Sequence, residues 1–186
     1  MSVQGDSMET FSLSDTVSLE EMLAARERRV ERRGELSVRF RTTLVGVSMN
    51  ISGPVKIGPL IERAFGDGWR ALLQWLAAAG FAVEHAEQSR RKTGPEGLLA
   101  VRGDALEVKK IAVRFETVFP AGRLFDVDVF TADGEAVPRA RIGAPERRCL
   151  LCGGDAKACG RSRTHSVPEL QKRVRTILEE FYAGKP

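Results

Sequence analysis

No run in this chain approaches the roughly 18 apolar residues that a membrane-spanning helix needs, and residues 1–15 lack the basic and apolar regions of a secretion signal. The expectation is a cytoplasmic protein with no membrane partner. Cysteine is scarce and odd in number, three in all, and every one falls within residues 149–159. In a reducing compartment that pattern argues against disulfides and leaves free thiols or a metal site. Repeats, linkers and a second compositional region are also absent. A chain of 186 residues then reads as one sizeable domain over 18–186, behind a loose polar leader at 1–17. Acid is scarce in one place. Between residues 139 and 175 ten Lys and Arg meet only Glu146, Asp155 and Glu169, so this segment suits a polyanion: a phosphorylated cofactor, a nucleic acid or an acidic protein.

What is present reads as alternating helix and strand, which predicts an α+β domain with helices packed on a mixed or antiparallel sheet. Ser18-Leu19-Glu20-Glu21 has the form of a capping box, and Leu19, Met22, Leu23 and Val30 predict the buried face of a helix to about residue 32. Its arginines, Arg26, Arg28, Arg29, Arg32 and Arg33, read as solvated. Residues 36–51 read as strand, and Gly53-Pro54 as a turn that leaves Lys56 before a helix near Pro59. Helical spacing continues to residue 79, with an interruption expected at Gly66-Asp67-Gly68. Residues 81–88 and 98–102 read as strands joined by a basic loop. Asp104 and Ser166 open two further helices, and Asp133-Gly134 suggests a hairpin into a strand at 136–141.

The strand expected at 122–130 carries the clearest chemical signal. Alternation places Asp126 and Asp128 on one face, with Leu124 and Phe130, while Phe125, Val127 and Val129 face the other way. Two carboxylates at i and i+2 stand roughly 6.5–7 Å apart at their α-carbons. They can converge on a hard cation such as Mg²⁺ that also meets substrate phosphates. Aspartate is disfavoured in strands, and such local inconsistency tends to mark a site. Lys56, Arg123, Arg139, Arg141, Arg161 and Arg163 are the candidate phosphate ligands.

Cys149-x2-Cys152-x6-Cys159-x5-His165 offers three thiols and an imidazole for tetrahedral Zn²⁺, with knuckle spacing in the first pair. Free thiols are the equal alternative, with His165 then a phosphate donor beside Arg161 and Arg163. By residue chemistry alone the chain reads as a metal-assisted transferase acting on a phosphorylated substrate. The competing reading is a zinc-containing basic module that binds nucleic acid, although little aromatic residue is interleaved with the basic ones.

Several stretches also resemble one family. The run Gly122 to Val129, Asn50 to Lys56 upstream, and Pro145 to Cys152 followed by Cys159, Arg161-Ser162-Arg163, His165-Ser166 and Glu169-Leu170 are similar to the apo-citrate lyase phosphoribosyl-dephospho-CoA transferases. Leu19 to Glu27 extends the likeness, which covers about residues 18–180. The resemblance implies transfer of phosphoribosyl-dephospho-CoA from triphosphoribosyl-dephospho-CoA to a serine of the citrate lyase acyl carrier subunit, with release of pyrophosphate. A related transferase serving malonate decarboxylase is the nearby alternative, and neither enzyme uses nucleic acid as partner. It further implies Asp126 and Asp128 as Mg²⁺ ligands on a nucleotidyltransferase-like fold, with Glu84, Glu107 and Glu116 considered for a third carboxylate.

Overall fold

The computed structural model describes residues 16–183, so the leader expected at 1–17 lies almost wholly outside the described residues. In chain order the elements are α1 (Leu19–Phe40), β1 (Thr43–Met49), α2 (Pro59–Ala78), β2 (Ala82–Arg91), β3 (Gly94–Arg102), α3 (Ala105–Val118), β4 (Phe125–Phe130), α4 (Ala156–Ser162) and α5 (Val167–Tyr182). The strands form one antiparallel sheet in the order β2-β3-β1-β4. The α+β class and antiparallel sheet are as expected.

One sheet face is the main core. Val45, Val47, Leu99, Val101, Phe125, Val127 and Val129 pack against α2 and α3 through Phe65, Trp69, Leu72, Val108, Ala112 and Phe115. The opposite face is only partly apolar, with Leu44, Leu98, Ala100 and Phe130 meeting Leu36 and Phe40 of α1. A third cluster joins Ile51 and Leu124 to Ala64 of α2 and to Val174, Ile177 and Leu178 of α5.

Several boundaries differ from expectation. α1 runs eight residues past the expected end, to Phe40, because Leu36 and Phe40 extend its contact with the sheet. The strand read over 36–51 therefore shortens to β1. β2 and β3 continue through the expected basic loop to a tight turn at Lys92-Thr93, where the positive φ of Gly94 (109°) supplies the reversal. Residues 136–141 form no strand. A single bridge, Phe130 to Ala136, gives way to a 3₁₀ turn at Arg139–Ile142.

α2 passes unbroken through Gly66-Asp67-Gly68, and packing explains Gly68. A Cβ there would stand 2.1 Å from the Phe125 ring, so the bare backbone lets β4 seat against the helix. Gly68→Ala is expected to destabilise the fold by about 1–3 kcal/mol despite the better helix propensity of Ala. Chemical denaturation checks this, and an unchanged midpoint would contradict it.

Candidate active site

β4 is an edge strand, and its two faces have different tasks. Phe125, Val127 and Val129 are buried in the core, whereas Asp126 is half-buried and Asp128 exposed on the far face. The register defines what lies beside them. Asp128 is opposite Gly46, Asp126 is opposite Ser48, and Ser48 is opposite Glu96 of β3. A Cβ at Gly46 would already meet the Leu98 and Phe130 side chains at 3.7 and 3.8 Å, so the ground beside Asp128 is filled, and Ser48 alone stands between Asp126 and Glu96 across the sheet.

α1 lies over this face and turns Arg29, Arg32 and Arg33 toward it, while Arg26 and Arg28 are exposed. Arg29 donates to Glu96 at 2.9 Å, and Arg32 donates to Glu87 through Nε at 2.8 Å and through Nη2 at 2.7 Å. Arg33 stacks its guanidinium 3.9 Å above the Phe130 ring. Burial lowers its pKa, with Asp128 opposing that effect and Arg29 adding to it. The expected polarity of α1 holds only in part: Arg26 and Arg28 are exposed and Met22 is half-buried, but Leu19, Leu23 and Val30 are exposed, and Ala25 and Leu36 are its buried residues. The helix matches an acidic sheet face with charge as well as with apolar surface. A cleft of about 380 Å³ between α1 and β2–β3 includes Arg29, Arg32, Glu87, Glu96 and Leu98 in its lining. It adjoins the acid pair through the Glu96 row and does not contain the pair itself.

The outer edge of β4 has no strand partner at its centre, and charged side chains satisfy it instead. Lys109 of α3, buried, donates to Val127 O at 3.1 Å, and Glu116 of α3, also buried, accepts from Val127 N at 2.8 Å. Arg139 pairs with the other oxygen of Glu116. Arg147 donates to Phe125 O at 2.8 Å and Arg123 O at 3.1 Å, and its Nη1 reaches round the edge to Asp126 Oδ1 at 2.8 Å. The same nitrogen lies 3.8 Å from Glu116.

Asp126 is therefore held through one oxygen. Asp128 makes no hydrogen bond or ion pair among the described residues. Although the residue is exposed, burial of its carboxyl raises the Asp128 pKa, the charge of Asp126 adds to this, and Lys109 partly offsets it. A neighbouring like charge and an unpartnered carboxylate in an oxygen-only donor set fit a hard divalent cation.

The cysteine segment closes a second constellation. Cys149, Cys152, Cys159 and His165 each offer a ligand atom, all within 4.8 Å of one another. Cys152 and Cys159 have their sulfurs 3.5 Å apart, and His165 Nε2 is buried with no hydrogen-bond partner. Tetrahedral zinc with Zn–S bonds near 2.3 Å places sulfurs about 3.8 Å apart, so this donor set fits Zn²⁺. The Gly154 N–H foremost pulls the Cys152 thiol down to about 6, while Cys159 is pushed up to about 11, first by its contact with Cys152.

The remaining sequence candidates are more dispersed. Lys56 is half-buried, donates to Ile51 O, and has its pKa lowered by burial. Arg123 donates to Arg148 O, and Arg139 is tied to Glu116. Arg141, Arg161 and Arg163 are exposed and have no acidic partner among the described residues. Of the acids considered for a third carboxylate, Glu84 pairs with Arg102 and Glu107 with Lys110, and Glu116 lies under the β4 edge. Glu96, which shares the acid face, was not among them. Arg29, Arg33 and Arg147 were likewise outside the candidate phosphate ligands. Glu116 was named only as a possible third carboxylate; the readable signal for it and for the unnamed Lys109 as edge partners was two charges within the inward stripe Val108, Ala112 and Phe115 of α3.

Residues 17–181 match the family described as apo-citrate lyase phosphoribosyl-dephospho-CoA transferase. The chain is 35% identical over 164 residues to the protein of that name from Citrobacter koseri, covering 88% of this chain and 90% of the relative. It is 33% identical over 167 residues to those of Shigella boydii serotype 18 and Escherichia coli O157:H7, covering 90% of this chain and 91% of each.

Proposed function

The chain belongs to the apo-citrate lyase phosphoribosyl-dephospho-CoA transferase family, and from that premise we propose that it carries phosphoribosyl-dephospho-CoA from triphosphoribosyl-dephospho-CoA to a serine of the citrate lyase acyl carrier subunit. The observation that supports this reading is the open acid pair of β4 beneath the arginines of α1. The serine oxygen attacks the α-phosphorus in line, a new O–P bond forms, and the bond to the β-phosphate breaks with release of pyrophosphate. The serine proton leaves to solvent.

Such a reaction spreads negative charge over phosphate oxygens, so the protein chiefly positions reactants and offers cations. Asp126 and Asp128 would hold Mg²⁺, which neutralises that charge when bound. Arg33, which feels the charge of Asp128, and Arg29, paired with Glu96, lie over the acid face and orient the polyphosphate. Arg141, Arg161 and Arg163 are left for outer phosphates or the carrier, and Lys56 and Arg123 serve the substrate from the strand ends. Residues from 18 onward act as one transferase domain in the cytoplasm. No described helix is long and apolar enough to cross a membrane. A nucleic-acid module is disfavoured because two arginines of the basic segment, Arg139 and Arg147, are already committed to Glu116 and Asp126.

In the metal-free protein burial and the charge of Asp126 raise the Asp128 carboxyl, whereas a bound cation would pull it back down. Asp128 in metal-free protein is therefore expected to titrate above the usual aspartate value of about 3.9. A carboxyl NMR titration of the metal-free protein checks this, and a value in the ordinary aspartate range contradicts it.

The function itself is tested by intact-mass spectrometry of the carrier subunit after incubation with this protein, Mg²⁺ and the precursor. A gain of one phosphoribosyl-dephospho-CoA group is expected, and an unchanged mass would overturn the reading. Offering the malonate decarboxylase carrier in parallel identifies the preferred partner.

A further inference from the structure

The hairpin that carries Cys149 and Cys152 begins at Arg147. Ala156 N donates to Arg147 O at 3.1 Å, Arg148 pairs with Asp155 in an antiparallel bridge, and Cys149 N donates to Gly154 O at 2.6 Å. Asp155 then caps α4, accepting from Ala158 N at 2.6 Å, and α4 carries Cys159. The same rungs therefore set the root of Arg147 and gather the four ligand atoms of the knuckle. Arg123 strengthens the join by donating from the start of β4 to Arg148 O.

We infer that the Cys149/Cys152/Cys159/His165 knuckle, closed by a metal, is the brace that fixes Arg147 and through it the carboxylate of Asp126. Arg147 is thus a positioning residue, and the inference rests on the reading of Asp126 as part of the transfer centre. An arginine side chain has many rotamers to give up. Holding it in one pose requires a fixed root as well as fixed acceptors. Its acceptors, Phe125 O, Arg123 O and Asp126 Oδ1, belong to β4 or its approach, and its root belongs to the knuckle. The knuckle has little core of its own: only Cys149 among its four ligands is buried, and its turn contains Gly153 at φ 70°. Small metal-ligating loops of this kind take their order from the bound ion.

The test uses the full-length protein as purified, after metal stripping, and after zinc return, together with Arg147→Gln and Arg147→Lys. Zinc content, amide exchange by mass spectrometry, and kcat and KM of transfer are measured on each. The protein as purified is expected to hold stoichiometric zinc. Stripping is expected to speed exchange over residues 122–130 and 145–156 while β2–β3 stays protected. It should also lower kcat by about 10–100-fold at unchanged KM, the scale of losing a group that orients a ligand. Zinc restores both. Arg147→Gln keeps zinc yet shows the same loss of kcat and of protection over 122–130, and Arg147→Lys recovers part of it. Protein without zinc, zinc-free protein with native exchange over 122–130, or wild-type kcat in Arg147→Gln would each overturn the brace. If the wild type leaves the carrier unmodified, the transfer reading fails, and the zinc and exchange measurements still decide the brace.

Discussion

Asp126→Asn and Asp128→Asn are each expected to fold normally and to lose transfer by about three orders of magnitude, the scale of removing a group that stabilises transition-state charge. The two sites should reach that result differently. Asp128 makes no hydrogen bond or ion pair among the described residues and is exposed, so its amide costs the fold nothing. Asp126 accepts from Arg147 at 2.8 Å, and an asparagine carbonyl can still accept there. Both substitutions remove a negative oxygen from a site proposed to take its cation with two carboxylates. Transfer kinetics beside a thermal melt separate the outcomes: wild-type rates in both variants would remove the acid pair from the chemistry, and unfolding would remove the test.

Glu116→Ala is expected to cost about 3–5 kcal/mol of stability, the range for removing one partner from a buried ion pair. Glu116 is 4% exposed, and it answers three groups at once: the Val127 N–H, the Arg139 guanidinium and, at longer range, Arg147. Its loss leaves an edge amide without an acceptor and Arg139, itself 13% exposed, without its counter-charge. The same loss loosens the strand that presents the acids. For a domain of this size the expected fall in melting temperature is roughly 10 °C. Glu116→Gln, which retains an acceptor for Val127, should lose less. A change below about 1 kcal/mol, measured by urea denaturation, would show that the network is not structural.

Much of the acid face was legible in sequence because strand alternation is a strict rule. Phe125, Val127 and Val129 are buried, while Asp126 and Asp128 lie on the opposite face, as their order predicts. Capping also read true: Ser18, Asp104 and Ser166 each accept from a first-turn backbone N–H. The inward face of α1 was not legible, because hydrophobic periodicity assumes an apolar surface beneath a helix. Here the surface carries Glu87, Glu96 and Asp128, so Arg29, Arg32 and Arg33 occupy the inner side and Leu19 and Leu23 the outer. Arg147 was hidden for another reason. It stands 21 residues beyond Asp126, within a run of basic residues of which nothing in sequence singles one out, and the contact depends on how the knuckle returns to the strand. Gly68 reads as a helix breaker until Phe125 is placed against it.

Cooperation of the two carboxylates is measured most directly by titrating the free protein with Mn²⁺, a paramagnetic stand-in for Mg²⁺, and following the unbound ion by electron paramagnetic resonance. The wild type should bind Mn²⁺ saturably in competition with Mg²⁺, and Asp126→Asn and Asp128→Asn should each abolish that binding. Retention of wild-type affinity by either variant would contradict a shared site.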